Sequence, residues 1–207
     1  MRIELTLKML REAPLSWLKS ENYISDLIRL FGLADNLKIG PYGEDNIYIN
    51  DPGIYQVPEQ LAKLLVYLSD KKINTYLEIG VFNGGNFLFT SEYLKRFNPA
   101  LKTYGLDLDH RFLNPKIGAL VNGLVTATSE DIQGSEIDYV FIDAEHSYEW
   151  VTKDWLNVGQ HAKICAFHDI NDKTLPDMAR FWGKLKQDKN YKEFLDKGIF
   201  GIGVITT

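Results

Sequence analysis

YLEIGVFNGGNF, residues 76–87, decides how this chain of 207 residues is read. Tyr76 to Ile79 is a short, mostly apolar run of the length and composition of a buried strand. Gly80 ends it, Gly84 and Gly85 follow, and a helical pattern opens at Asn86. Glycine in that turn permits positive φ and close approach of a ligand to the backbone. In an open α/β sheet, a turn of this kind lies at the carboxyl edge, where strand order reverses and ligands bind.

Two acids sharpen the reading. Glu78 stands inside the apolar strand, where an unpaired carboxylate is costly to bury; a cationic or hydrogen-bonding ligand would account for it. Asp107 ends the next strand, placed for its carboxylate to accept two ribose hydroxyls. The reading requires both acids to converge with the turn from Gly80 to Gly85 around a single nucleoside. A nicotinamide dinucleotide fits less well. Its G-x-G-x-x-G fingerprint needs a middle glycine for the pyrophosphate, and Phe82 occupies that position.

Downstream, short apolar runs alternate with helical patterns: TYGLDL at 103–108, VNGLVTAT at 121–128, IDYVFID at 137–143 and AKICAFHD at 162–169, with helices at about 86–97 and 147–158. Strands buried on both faces and linked by helices predict a parallel sheet. A further helix follows Pro176, with Met178, Phe181, Trp182 and Leu185 facing inward. The last strands, roughly 191–195 and 199–206, are too close for a parallel crossover and predict an antiparallel hairpin. The expected architecture is a doubly wound, mostly parallel seven-stranded α/β sheet.

Upstream, residues 3–12 and 22–32 carry helical spacing, with Gly32 as a stop. Residues 35–55, with GPYG at 40–43 and NDPG at 50–53, predict a loop or lid. Pro58 opens a helix with Leu61, Leu64, Leu65 and Leu68 inward. We therefore divide the chain into N-terminal helices and lid (1–55) and a ligand-binding domain (56–207). The net charge of −5 disfavours general binding to a phosphate backbone, and Lys184, Lys186 and Lys189 have the spacing of a solvated helix face. Glu4, Lys8, Arg11 and Glu12 interrupt any signal-peptide core, and no uncharged run reaches membrane-spanning length. A cytoplasmic protein without membrane or nucleic-acid partners is expected, its single cysteine, Cys165, buried in a strand.

At this point a resemblance emerges. YLEIGVFNGG (76–85) resembles motif I of the class I S-adenosylmethionine-dependent methyltransferases, E-x-G-x-x-x-G. GLDLD (105–109) resembles their second motif, and TATSEDI (126–132) sits where their third lies. FIDAEHSYEWVTKDW (141–155) together with AFHDI (166–170) is similar to a small-molecule O-methyltransferase group that includes the macrocin and cephalosporin-pathway enzymes. The resemblance covers about residues 56–207 and implies the Rossmann-like methyltransferase fold and methyl transfer from S-adenosylmethionine to a hydroxyl of a sugar or natural-product intermediate. It implies cofactor contacts from Glu78, Gly80, Asn83, Gly84, Asp107, Ser129, Glu130, Asp131 and Asp143. Where the family more often has Gly-Asp before the serine, this chain has Ala127-Thr128, which leaves the adenine contacts open.

The candidates for the chemistry are Asp143, Glu145, His146, His168, Asp169 and Asn171. An alcohol is a poor nucleophile until a base or a metal ion takes its proton. His146 is the preferred general base, its ordinary pKa near 6.5 needing little adjustment, with Asp143 beside it. The resemblance implies a divalent ion at the strand ends: Asp143 and Asp169, helped by Asn171, suit Mg²⁺, whereas a nitrogen from His168 favours Mn²⁺. The alternatives are that Asp143 caps the next helix and meets the cofactor amine without a metal, and that His146 only fixes its loop through Asp169. Tyr148 and Trp150 are candidates for an acceptor wall, and Tyr55 and Gln56 for closure over the cofactor. His110 and His161 are expected to be surface or structural residues, and Asp154, mid-helix, to lie on a solvated face or in a salt bridge. Two competing functions remain: an NAD(P)-dependent oxidoreductase and a non-catalytic cofactor-binding module. The N-terminal helices are expected to serve as a lid or a homo-oligomer contact.

Overall fold

The structure, a computed structural model, describes residues 2–34, 53–196 and 199–207. Most of the expected lid, residues 35–52, lies outside the described residues. The described chain forms a seven-stranded sheet in the order β3-β2-β1-β4-β5-β7-β6. The strands are β1 (Thr75–Ile79), β2 (Lys102–Asp107), β3 (Leu124–Thr126), β4 (Tyr139–Ile142), β5 (Ile164–Phe167), β6 (Asn190–Asp196) and β7 (Ile199–Thr206). β1 to β5 pair in parallel, and β7 runs antiparallel to both β5 and β6. This is the doubly wound Rossmann-like methyltransferase fold. β3 is only three residues long, shorter than the apolar run 121–128, because Gly123 turns the chain there with φ 82°.

Side-chain alternation along the central strands builds two cores. Tyr76, Tyr139 and Phe141 point to one face, under helices Arg2–Glu12, Glu21–Phe31, Pro58–Ser69 and Gly85–Lys95. Leu77, Ile79, Val140 and Ile142 point to the other, under helices Tyr148–Asn157 and Pro176–Leu185. Cys165 is buried in β5. The N-terminal helices are tied into the first core. Arg11 pairs with Glu92 at 2.6 Å, the Tyr93 hydroxyl donates to the Leu18 carbonyl at 2.7 Å, and Arg96 donates to the Ala13 carbonyl at 2.9 Å. No described helix is long and apolar enough to cross a membrane.

The strand order reverses between β1 and β4. There the Gly80 amide donates to Leu106 O and the Asp143 amide to Ile79 O. A Cβ at Gly80 would lie 2.1 Å from the Asp143 carbonyl oxygen, so only glycine lets these two strand ends meet. A short bridge between Leu33 and Ile54 sets the segment before Pro58 over the same edge.

Candidate active site

Two adjoining cavities, each of about 350 Å³, open along this edge, within the size range of small-molecule sites. They share Gly80, Phe82, Asp143 and Ala144. One runs over the ends of β1, β2 and β4 and is bounded by Leu106, Asp107, Ala127, Ser129, Trp150 and Asp154. The other contains Gln56, Glu78, His146, His168, Asp169 and Phe200. Glu78 therefore lines one part of this continuous crevice and Asp107 the neighbouring part, with Gly80 and Phe82 common to both.

Asp107 is fixed by the backbone on either side of it. Its Oδ2 accepts the Phe82 amide at 2.8 Å and its Oδ1 the Asp109 amide at 3.3 Å. Each oxygen keeps accepting capacity for the cavity. Glu78 is only 2% exposed, but it is not unpaired. It accepts from the Tyr76 hydroxyl and, at 2.9 Å, from Asn86 Nδ2, so a structural role accounts for much of what the sequence ascribed to a ligand. Burial raises its pKa well above the ordinary glutamate value, against the pull of those bonds.

The glycine turn divides its duties. Asn83 lines the second cavity, accepts the Gly85 amide at 2.8 Å and donates to the Gly53 carbonyl at 2.9 Å, fastening the segment with Tyr55 and Gln56 over the crevice. Gly84 is not among the lining residues. A side chain there would collide with Ile117 and Leu113, so its glycine serves packing behind the turn. Ser129 lines the first cavity, whereas Glu130 and Asp131 are exposed outside it. Asp131 closes a capping box on Thr128, accepting its amide at 2.8 Å. The cap engages Oδ2 and holds the acid on the exposed side, outside the cavity, which corrects the expected contact.

Asp154 is a second correction. It is 5% exposed and lines the first cavity rather than a solvated face. Burial raises its pKa, partly offset by a hydrogen bond from Ser129. Trp150 lines the same cavity, not the acceptor side, while Tyr148 packs on Phe181 beneath Arg180 and Lys184. Glu145 lines the first cavity and caps the Ser147 amide at 3.0 Å.

On the floor of the second cavity four groups meet. His146 Nε2 lies 2.9 Å from Asp169 Oδ2 and 3.5 Å from Asp143 Oδ1. His168 Nδ1 lies 3.1 Å and 3.4 Å from the same two oxygens, and Gln56 Nε2 donates to Asp143 Oδ2. Burial opposes ionisation of His146, but its contacts with Asp143 and Asp169 and their charges prevail and raise its pKa to about 10. Burial likewise opposes ionisation of both carboxylates, and the charge of His168, followed by the contacts with His146, holds each below the ordinary aspartate value. This corrects the expectation for His146. Between two ionised carboxylates it keeps its proton at neutral pH, so it becomes a base only when their charge is offset.

Candidate metal-ligand atoms of Asp143, His146 and Asp169 all lie within 4.8 Å of one another. This mixed oxygen and nitrogen set suits Mg²⁺ or Mn²⁺. His146 takes the place expected for His168, which is 4% exposed and packs between Phe141 and Phe200. Asn171 is not among the lining residues; Asp172 is.

Phe200 is a site residue that sequence reading missed. Three non-glycine residues with positive φ stand among the described residues: Phe82 at 49°, Asp169 at 60° and Phe200 at 49°. All three line the second cavity. Such conformations cost about 1–3 kcal/mol each and cluster at functional sites.

Residues 77–170 match a family model described as a methyltransferase domain. No curated protein matches the chain at a significant level. Among solved structures, it is similar to an O-methyltransferase from Bacillus cereus in complex with SAH, at 14% identity and TM-score 0.57, over 93% of this chain and 99% of that one. It is also similar to cofactor-bound Rv0187 from MTB, at 13% identity and TM-score 0.54, over 99% and 95%. The O-methyltransferase TomG from Streptomyces achromogenes, in complex with SAM, aligns at 17% identity and TM-score 0.50, over 84% and 86%. At these identities the structural likeness establishes the fold, and the family match spans β1 to β5, whose ends line both cavities.

Proposed function

We propose that this protein transfers the methyl group of S-adenosylmethionine to a hydroxyl of a small molecule, a sugar or natural-product intermediate, assisted by a divalent cation. The observation that carries the proposal is the meeting of the two cavities at Gly80, Phe82, Asp143 and Ala144. One side has apolar walls and Asp107 for a nucleoside. The other has an acid–imidazole cluster for an acceptor oxygen.

The sulfonium of the cofactor supplies the electrophilic methyl group, so the chain has to orient the acceptor in line and take its proton. Asp107 is set to hold the ribose hydroxyls. Gln56, 3% exposed with a buried carbonyl that has no hydrogen-bond partner, and Asp143 offer acceptors for the amino-acid end. Tyr55, Phe82 and Phe200 wall the acceptor space. Asp143 and Asp169 would hold the cation, which would supply Lewis-acid activation of the hydroxyl and offset the carboxylate charge, leaving the ring nitrogen of His146 open to a proton. His146 is the proton acceptor in this reading. No lysine or arginine lines either cavity among the described residues, which suits an uncharged acceptor better than a phosphorylated one.

Thermal shift tests the reading, because a ligand that binds only the folded state raises its stability with concentration. Adenosylhomocysteine should raise the midpoint while NAD and NADP leave it unchanged. The reverse pattern would favour the oxidoreductase. A shift with adenosylhomocysteine but no turnover on any hydroxylated acceptor would favour a binding module.

A further inference from the structure

The aromatic side chains of the acceptor cavity stand apart from the rest of the fold. Tyr55, Phe82 and Phe200 line it half-buried, and none of them belongs to either hydrophobic core. Phe82 and Phe200 also carry a positive φ of 49°, an outlying conformation for a bulky side chain. The bonds around Phe200 impose it: the Phe200 carbonyl accepts the Asn171 amide at 2.6 Å, and the next amide, of Gly201, donates to Gln60 Oε1 at 3.1 Å. Glycine or asparagine would adopt this conformation with less strain, so neither core packing nor backbone geometry accounts for a ring there. Phe82 follows β1 and Phe200 lies at the start of β7. In the order β1-β4-β5-β7 they are three strand spacings apart, about 14 Å. Their rings enter from the two ends of a slot whose floor, at the ends of β4 and β5, carries Asp143, His146, His168 and Asp169.

The polar side chains of the walls are already committed to the protein. Asn83 accepts the Gly85 amide and donates to the Gly53 carbonyl, while Asn86 donates to Glu78 and accepts from Thr90. A saturated ring with hydroxyls around its rim would set several of them against apolar surface, which is costly without partners. A flat arene asks for less. It meets the surrounding rings face or edge on and presents one hydroxyl to the floor. We propose that Phe200, with Tyr55 and Phe82 at the far end of the slot, selects a hydroxylated aromatic ring as the acceptor over a saturated one. The inference rests on the proposed function and narrows its acceptor to phenolic compounds. Phe200 keeps its strained backbone because its ring is needed at that end of the slot.

Isothermal titration of the full chain, saturated with S-adenosylhomocysteine and Mg²⁺ at neutral pH, tests this with 2-naphthol and decahydro-2-naphthol. The two probes share a carbon skeleton and hydroxyl position and differ in aromaticity. The wild type should bind 2-naphthol about tenfold more tightly or better. Phe200→Leu, which keeps an apolar side chain without a ring, should lower that ratio by about threefold or more. Equal affinities in the wild type, an unchanged ratio in Phe200→Leu, or binding of neither probe would overturn the proposal. Each leaves the methyltransferase reading intact, because binding of S-adenosylhomocysteine is titrated first and separately; its failure would overturn both. Should Phe200→Leu lose its far-ultraviolet signal, Phe200→Gly, which suits the positive φ, takes its place; there too a lowered ratio supports the proposal and an unchanged one overturns it.

Discussion

The imidazole of His146 stands 2.9 Å from Asp169, joining the loop after β4 to the end of β5 across the floor of the acceptor cavity. This contact puts a proton-carrying ring between residues 23 positions apart in sequence. Under the proposed function, His146→Ala should retain adenosylhomocysteine affinity, since the nucleoside walls are untouched, yet lose turnover by roughly 10²–10⁴. Unchanged turnover would reduce His146 to a loop fastener.

The same cluster predicts a cation requirement. EDTA should abolish turnover, and Mg²⁺ or Mn²⁺ should restore it. Asp169→Asn, which keeps the shape but removes one ligand charge, should raise the cation concentration for half-maximal rate by at least about tenfold. Activity that survives chelation would leave the acids with a purely positional job.

Glu78 offers a stability test. In Glu78→Leu the Tyr76 hydroxyl and the Asn86 amide lose their acceptor in a buried site. The expected loss is about 2–6 kcal/mol, the sum for two orphaned groups. Glu78→Gln retains one accepting oxygen and should stay within about 1 kcal/mol of the wild type. Urea unfolding decides, and a leucine variant as stable as the parent would show that the network contributes little.

Glu92 supplies a pH dependence distant from the site. Burial pushes its pKa up, but hydrogen bonds from Lys95 and Arg11 and their charges outweigh this and hold it below the ordinary value of 4.5. The folded state then binds fewer protons than the unfolded chain in acid. The stabilisation is present above the unfolded pKa and fades as pH falls through the lowered folded one. Because Arg11 and Lys95 are largely exposed, its worth is about 1 kcal/mol. Glu92→Gln should be less stable by that amount at pH 7, and the difference should shrink as pH falls below 4.5 and through the lowered folded pKa. A gap that persists there would point to packing.

The strands, helices and glycine turn were legible because their signals are local. Apolar runs of four to six residues, Pro58 and Pro176 at helix starts, and Gly80 before a helical pattern each act within a few positions. The same locality explains the misreadings. Asp154 carries an ordinary mid-helix spacing, and only the packing of its helix over the strand ends buries it. Asp131 looks like a ligand acid, yet a cap three residues back engages its Oδ2 and holds it on the exposed side. Phe200 gives no motif at all; β7, running antiparallel beside β5, brings it to His168.

Sequence alone determined that this chain makes a doubly wound sheet with a ligand turn at Gly80 and acids at the ends of β1, β2, β4 and β5, since strand and helix periods are written in neighbouring residues. The tertiary structure alone decided which acids face the crevice, that Glu78 already has partners, and that His146 holds its proton up to a pKa of about 10. Burial and charge act through space over a few ångströms, and those distances exist only after residues far apart in the chain have been packed together.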